Sequence, residues 1–346
     1  MSANLIKRDE LIDCMKGIGI LCVLFGHVVP YGSVPCRFIF SFHMPLFFFL
    51  SGVLYKESDS PWADIRQTIV KYGVIYLLFN LIAIIKLAIL PLECWGYGMS
   101  YRRMLWTIFV NGHPFHNGPL WFIVVLGLVS ILFRVERRYV SKNVIWLLFL
   151  GGGGAILVNY LPLEFRSHIV PFMITSIPLA ILFFISGFLG RNVFTTIKSL
   201  QMNPVIEVVV ACMSAFLLWV ALPYIGQLNL AVGQIKSFLA FPMAFVGILM
   251  VMLLGRLILR FNRLSRFIAY TGRSSIAFFA MDFITLPLIA YSLSNWFVSL
   301  SHYKPTMAIE KEVCLLLFVL NLLVLMLLSP LVNWIIVRLK FKLKDN

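Results

Sequence analysis

Apolar residues run in stretches of fifteen to twenty-five along nearly the whole chain, broken by short polar segments that hold most of the charge. A membrane-spanning helix needs roughly 20 such residues, because the hydrocarbon core is about 30 Å thick and a helix rises about 1.5 Å per residue. The pattern predicts ten spans, at about 12–31, 36–55, 67–91, 119–133, 144–161, 171–189, 205–225, 235–259, 274–298 and 313–337. The fourth and fifth are short. The stretch 99–117 is semi-polar and reads as a surface helix or a re-entrant loop. No connection is long enough for a soluble domain, and no internal repeat is visible. The expectation is one all-α, polytopic integral-membrane domain over residues 1–346.

Composition agrees. Of 346 residues, 61% are hydrophobic and 12% charged, with mean hydropathy +0.94; a soluble domain carries about 25% charged residues. The net charge of +15 would suggest nucleic acid in a soluble protein. Here it reads as positive charge on cytoplasmic loops, and no nucleic-acid partner is expected. With the N-terminus inside, 20 of the 29 Lys and Arg fall on inside segments and seven outside, while Lys16 and Lys86 lie within spans. That bias predicts both termini inside. Lys7 and Arg8 before an apolar run resemble a signal peptide, but the run holds Lys16 and a second span follows at once, so it reads as a retained first helix. Cys14, Cys22, Cys36, Cys94, Cys212 and Cys314 lack ligand spacing, which argues against a disulfide framework or a zinc site.

Polar groups inside the spans carry the chemistry. A lysine or aspartate at mid-membrane costs about 2.5–3.5 kcal/mol on insertion scales, so it calls for a reason. Lys16 and His27 stand eleven residues apart on the first span. That is about 16 Å of rise and about 20° past three turns, which puts both on one face. His43 lies on the antiparallel second span, in the same half of the membrane as His27. Asp282 is two turns into the ninth span, and His113 and His116 sit at the outer mouth before the fourth.

Each has a plainer reading. Lys16 at a helix end can simply snorkel. His43 can bridge two helices by a hydrogen bond. Asp282 can pair with a cation such as Lys86, and Asp13 can balance Lys16, Arg8 or another cytoplasmic cation. The four glycines at 151–154 lie in an apolar span without the Lys-Ser/Thr of a phosphate loop and suit a close helix contact. Trp95, Trp121 and Trp296 suit interfacial belts. His113 and His116 lack a third ligand, so no metal site is expected. A neutral histidine is the usual general base near pH 7, and cationic clusters suit a phosphate-bearing donor. The same residues suit a proton relay in a transporter or flippase, and the residues alone leave the two open.

Two stretches resemble the integral-membrane acyltransferase 3 family, especially its fucose 4-O-acetylase-like branch. IDCMKGIGILCVLFGH matches the first-helix pattern of a basic residue, ten residues and a histidine, here Lys16 and His27. FSFHMPLFFFLSGVLY matches the second helix around His43, Pro45, Ser51 and Gly52. GPLWFIVVL at 118–126, FFISGFLGR at 183–191 and YTGRSSIAFF at 270–279 fit later blocks more loosely.

The resemblance implies transfer of an acetyl group from cytoplasmic acetyl-CoA to a hydroxyl of a glycan or polyprenyl-linked sugar, in a bacterial inner membrane. It implies His27 as the catalytic residue, Lys16 as its partner near the donor, and Arg66 and Lys71 as donor-binding cations. His43 or His116 would orient the reacting groups, with His116, Trp121 and Asp282 on the acceptor side. The chain departs from the family pattern twice. Ile75-Tyr76 stands where a Pro-Tyr pair is usual, and Met281-Asp282 where the ninth-span motif usually ends in histidine.

Overall fold

A computed structural model describes residues 9–57, 60–90, 101–140, 144–162, 171–226, 228–297 and 310–342. Its helices are α1 (Glu10–Val28), α2 (Val34–Phe40), α3 (His43–Val53), α4 (Pro61–Ile89), α5 (Tyr101–Trp106), α6 (Trp121–Val135) and α7 (Ile145–Tyr160). Then follow α8 (Ile177–Leu189), α9 (Arg191–Ser199), α10 (Pro204–Ile225), α11 (Ala240–Ile258), α12 (Asn262–Arg273), α13 (Ser275–Ser292) and α14 (Lys311–Lys342). All ten predicted spans fall on helical segments. Nine of these are long and apolar enough to cross a membrane among the described residues, and α7 is a shorter apolar helix. The chain is an all-α, multi-pass membrane protein. Trp95 and Cys94 lie outside the described residues; the other five cysteines are free thiols.

Local sequence explains the boundaries. Asp9 caps α1 by accepting the Ile12 amide at 3.3 Å. Proline stands at the start of α4 and α10, where its missing N–H costs no helical bond. The second span, expected as one helix, is broken between α2 and α3. Pro45 falls in the first turn of α3 and can donate nothing back to the Ser41 carbonyl. The eighth span starts later than expected, at Ala240, because Leu228–Asn229 and Gln234–Ile235 form a short antiparallel pair before it. Arg102 and Arg103 on α5 are exposed, whereas the 3-10 turn Phe115–Leu120 runs into the interior.

Two features pack the bundle. The first is close approach at glycines. A Cβ on Gly52 would lie 1.9 Å from the Phe184 carbonyl oxygen, and one on Gly187 would lie 1.9 Å from that of Phe49. The contact is reciprocal because the sequence is: FFFLSGVL at 47–54 and LFFISGFL at 182–189 are two copies of one surface. This is a local internal repeat that reading the chain span by span does not reveal. Gly17 and Gly272 bring α1 and α12 together in the same way, against the Ile268 and Asp13 carbonyls. Gly151 and Gly154 face α8, while Gly152 and Gly153 meet nothing within 4 Å. The second feature is phenylalanine. Phe48–Phe122, Phe122–Phe279, Phe133–Phe184 and Phe183–Phe241 have ring centroids 4.8–5.2 Å apart.

Arginines close the helix ends. The last carbonyls of a helix have no partner within it. Arg191 donates to the carbonyls of Val53 at 2.8 Å and of Tyr55, just past α3. Arg256 donates to those of Ile197 and Lys198 at 2.6 and 2.8 Å, at the end of α9, and to the fully buried Glu207 at 2.7 Å. Asp13 on α1 meets Arg273 on α12 at 3.8 Å.

Substitution should separate the two kinds of glycine. Gly52→Ala forces α3 and α8 apart and is expected to cost about 1–3 kcal/mol or more. Gly152→Ala, with open space around it, should be neutral or stabilise by up to about 1 kcal/mol. Thermal unfolding of both in the same detergent checks this.

Candidate active site

α1 lies against α3, α11, α12, α13 and α14, so its inward face meets most of the bundle. It is unbroken from Glu10 to Val28, and Lys16 and His27 therefore keep their common face, about 16 Å apart in rise. His27 is in the last turn. Its Nδ1 is 2.5 Å from Asp282 Oδ2 on α13, with the histidine side chain 14% exposed and the aspartate fully buried. A carboxylate only accepts, so Nδ1 carries the hydrogen and Nε2 is the basic nitrogen.

Asp282 is itself held. Asn321 on α14 donates its Nδ2 to Oδ1 at 2.6 Å, and Thr285 donates to Asn321 Oδ1 at 2.6 Å. Thr285 is one helical turn beyond Asp282, so both side chains reach the same Asn321. Four residues on three helices thus form one chain: Thr285, Asn321, Asp282 and His27. The Phe283 ring packs edge-on against the His27 ring, centroids 4.7 Å apart.

Sequence reasoning offered Lys86 as the partner of Asp282, and the structure corrects this. Lys86 donates to the carbonyls of Phe283 at 2.7 Å and His116 at 2.8 Å. The cause is Pro287. A proline lacks the amide that would bond the carbonyl four residues back, and that carbonyl is Phe283. The buried ammonium answers the gap and ties α4, α13 and the 115–120 turn together. The signal was in the sequence, as a proline inside an apolar span with a lysine in another.

The other predicted residues divide. His43 is buried beside the break in its own span, where Nδ1 donates to the Ile39 carbonyl at 2.8 Å, so it staples the break rather than bridging two spans. Trp121 is buried at 8% exposure, packed on Phe122, and so is not in an interfacial belt; Trp296 is exposed. Lys16 is half-buried, Arg66 exposed and Lys71 half-buried. Arg66 and Lys71 are five residues apart on α4, about 140° around the helix, so they do not share a face.

His116 is 5% exposed and Asn117 fully buried, on the turn entering α6. Asn117 Nδ2 donates to the Ala280 carbonyl at 2.9 Å. Its Oδ1 and both ring nitrogens of His116 have no partner among the described residues. Each such atom costs about 1–3 kcal/mol. No three His, Cys, Asp or Glu gather as a metal site among the described residues.

Residues 9–338 match the family model described as an acyltransferase domain, acyltransferase 3. The chain belongs to the acyltransferase 3 family. No curated protein and no solved structure matches it. The family match spans every group described above, from the α1 cap to the last turns of α14, so His27, Asp282 and Asn321 all belong to the acyltransferase domain.

Lys86 and Pro287 should be coupled. Lys86→Met alone leaves the Phe283 carbonyl unpaired and is expected to lower stability by about 1–3 kcal/mol. Pro287→Ala restores an amide to that carbonyl. The double variant should therefore lose less than the two single losses combined, and a double-mutant cycle on thermal unfolding measures the difference.

Proposed function

We propose that this acyltransferase moves an acetyl group from acetyl-CoA to a hydroxyl of a glycan or polyprenyl-linked sugar, with His27 as general base. The observation that carries this is the 2.5 Å contact between His27 Nδ1 and the buried Asp282. A carboxylate in that place fixes the tautomer with Nε2 unprotonated and stabilises the imidazolium that forms when Nε2 takes a proton. His27 Nε2 takes the acceptor hydroxyl's proton as its oxygen adds to the thioester carbonyl. The carbon–sulfur bond then breaks, and Nε2 returns the proton to the leaving thiolate. The products are the acetyl ester and free CoA, with His27 neutral again. Asn321 and Thr285 hold Asp282 through the cycle.

The donor's anionic end suits the cations at the other end of α1. Lys16 shares the His27 face, and about 16 Å separates the two levels, half of a hydrocarbon core about 30 Å thick. A long flexible acyl carrier bridges that distance. Arg66 and Lys71 stand on different faces of α4, and Arg66, being exposed, is the one placed to meet a soluble nucleotide first. The charge bias of the loops supports both termini inside, hence a cytoplasmic donor, in a bacterial inner membrane.

His27→Ala is expected to lower acetyl transfer by about 100- to 10,000-fold, the span of a general-base contribution. Asp282→Asn should fall by a similar factor, because an amide no longer fixes the tautomer or balances the imidazolium. Labelled acetyl-CoA with purified protein and a polyprenyl-linked glycan fraction measures both, beside thermal unfolding to show that each variant folds. Full activity in folded His27→Ala defeats the proposal. A wild type that never consumes acetyl-CoA points instead to transport of a sugar-lipid or acyl donor.

A further inference from the structure

The 115–120 turn is fastened to α13 on both sides of Asp282. Asn117 Nδ2 holds the Ala280 carbonyl, and Lys86 joins the His116 carbonyl to that of Phe283. A Cβ on Gly118 would lie 3.3 Å from the Phe283 ring, which also packs edge-on against the His27 ring. One aromatic layer therefore separates the turn from the proposed base. On this turn stand three buried polar atoms without a partner among the described residues: His116 Nδ1, His116 Nε2 and Asn117 Oδ1. Native proteins rarely leave such atoms unpaired, and each instance calls for an explanation.

We infer that His116 and Asn117 form the acceptor subsite, recognising a pair of neutral hydroxyl groups. This rests on the acyltransferase reading above and adds to it the residues that select the acceptor. The chemistry of the set points to that ligand. A neutral imidazole supplies one donor and one acceptor, and Asn117 Oδ1 a second acceptor. Two sugar hydroxyls donate to the acceptors and receive from the ring donor. A phosphate, which only accepts, leaves two of the three atoms unpaired. The atoms are closed off from solvent, so the acceptor reaches them by displacing the turn. Gly112, at φ +80°, precedes the turn and Gly118 lies within it.

The test uses full-length protein in lipid nanodiscs, labelled acetyl-CoA, and a polyprenyl-linked glycan fraction from the source membranes. The variants are His116→Phe, His116→Gln and Asn117→Ser. Phenylalanine keeps the ring in the core and removes both unpaired nitrogens. If His116 only fills space, H116F folds at least as well and transfers normally. If it binds the acceptor, the acceptor KM rises about tenfold or more, the weight of one lost hydrogen bond. That loss falls on the acceptor KM rather than on the acetyl-CoA KM. H116Q, which keeps a donor and an acceptor, should return to within about threefold of wild type, a rescue that a packing role does not give. N117S removes the Oδ1 acceptor together with the Nδ2 bond to Ala280; a raised acceptor KM at an unchanged thermal midpoint and acetyl-CoA KM supports the subsite and keeps the test open should H116F not fold. Folded variants that all keep the wild-type acceptor KM overturn the subsite. Equal losses in H116F and H116Q with lowered thermal midpoints overturn it too, in favour of a packing role. A wild type that transfers no label fails differently: it removes the acyltransferase reading, and the subsite with it.

Discussion

Inside a bilayer a polar atom has no water to fall back on, so every carbonyl that a helix break exposes must be answered by the protein itself. Much of this bundle is arranged around that constraint. His43 answers Ile39 where the second span breaks, and Lys86 answers Phe283 where Pro287 interrupts α13. Arg37 answers Leu222 near the end of α10, Arg191 the end of α3, and Arg256 the end of α9. Cations suit these places twice over, since they donate and they meet the negative end of the helix dipole. Part of the excess positive charge, which as sequence speaks only of loops and sidedness, is thus structural. It lets a bundle of broken and short helices stay closed.

The same constraint explains the polar chain at the site. An ionised aspartate among apolar helices is costly unless its oxygens are paired. Asp282 has both paired, one to His27 and one to Asn321, and Thr285 occupies the far side of Asn321. The pairing is a stability device and a tautomer device at once, because the atoms that pay for burying the carboxylate are the ones that orient the imidazole. Phe283 adds the apolar wall. The residue that walls His27 with its ring fastens Lys86 with its carbonyl, so the proline in α13 and the geometry of the base are connected through a single position.

The sequence made the spans legible because hydrophobicity over twenty residues is a strong signal, and it made Lys16 and His27 legible because eleven residues is close to a whole number of helical turns. His27 and Asp282 were each recognised, but not as partners. They are 255 positions apart, and nothing in the periodicity of either helix says which faces meet. Lys86 as a possible cation for Asp282 fails for a related reason: charge suggests a carboxylate, whereas a proline-freed carbonyl carries no charge to notice. Trp121 was assigned by composition to a membrane surface, although it opens α6 directly after a turn that dives inward. The α3–α8 contact was readable, since FFFLSGVL and LFFISGFL can be laid over each other by eye. Comparison over whole spans dilutes those eight positions among ordinary apolar residues.

The departure at Asp282 has a physical reading of its own. The family pattern that the chain resembles usually places a histidine at the end of the ninth-span motif. A second imidazole next to His27 can accept from Nδ1 but offers no fixed charge. A carboxylate accepts without ambiguity and holds a fixed hydrogen bond to Nδ1. It also raises the cost of burial, and Asn321 with Thr285 is the local answer to that cost. Aspartate at 282 and asparagine at 321 therefore act as a pair: Asn321 without Asp282 has lost the oxygen it donates to, and Asp282 without Asn321 leaves a buried oxygen unpaired.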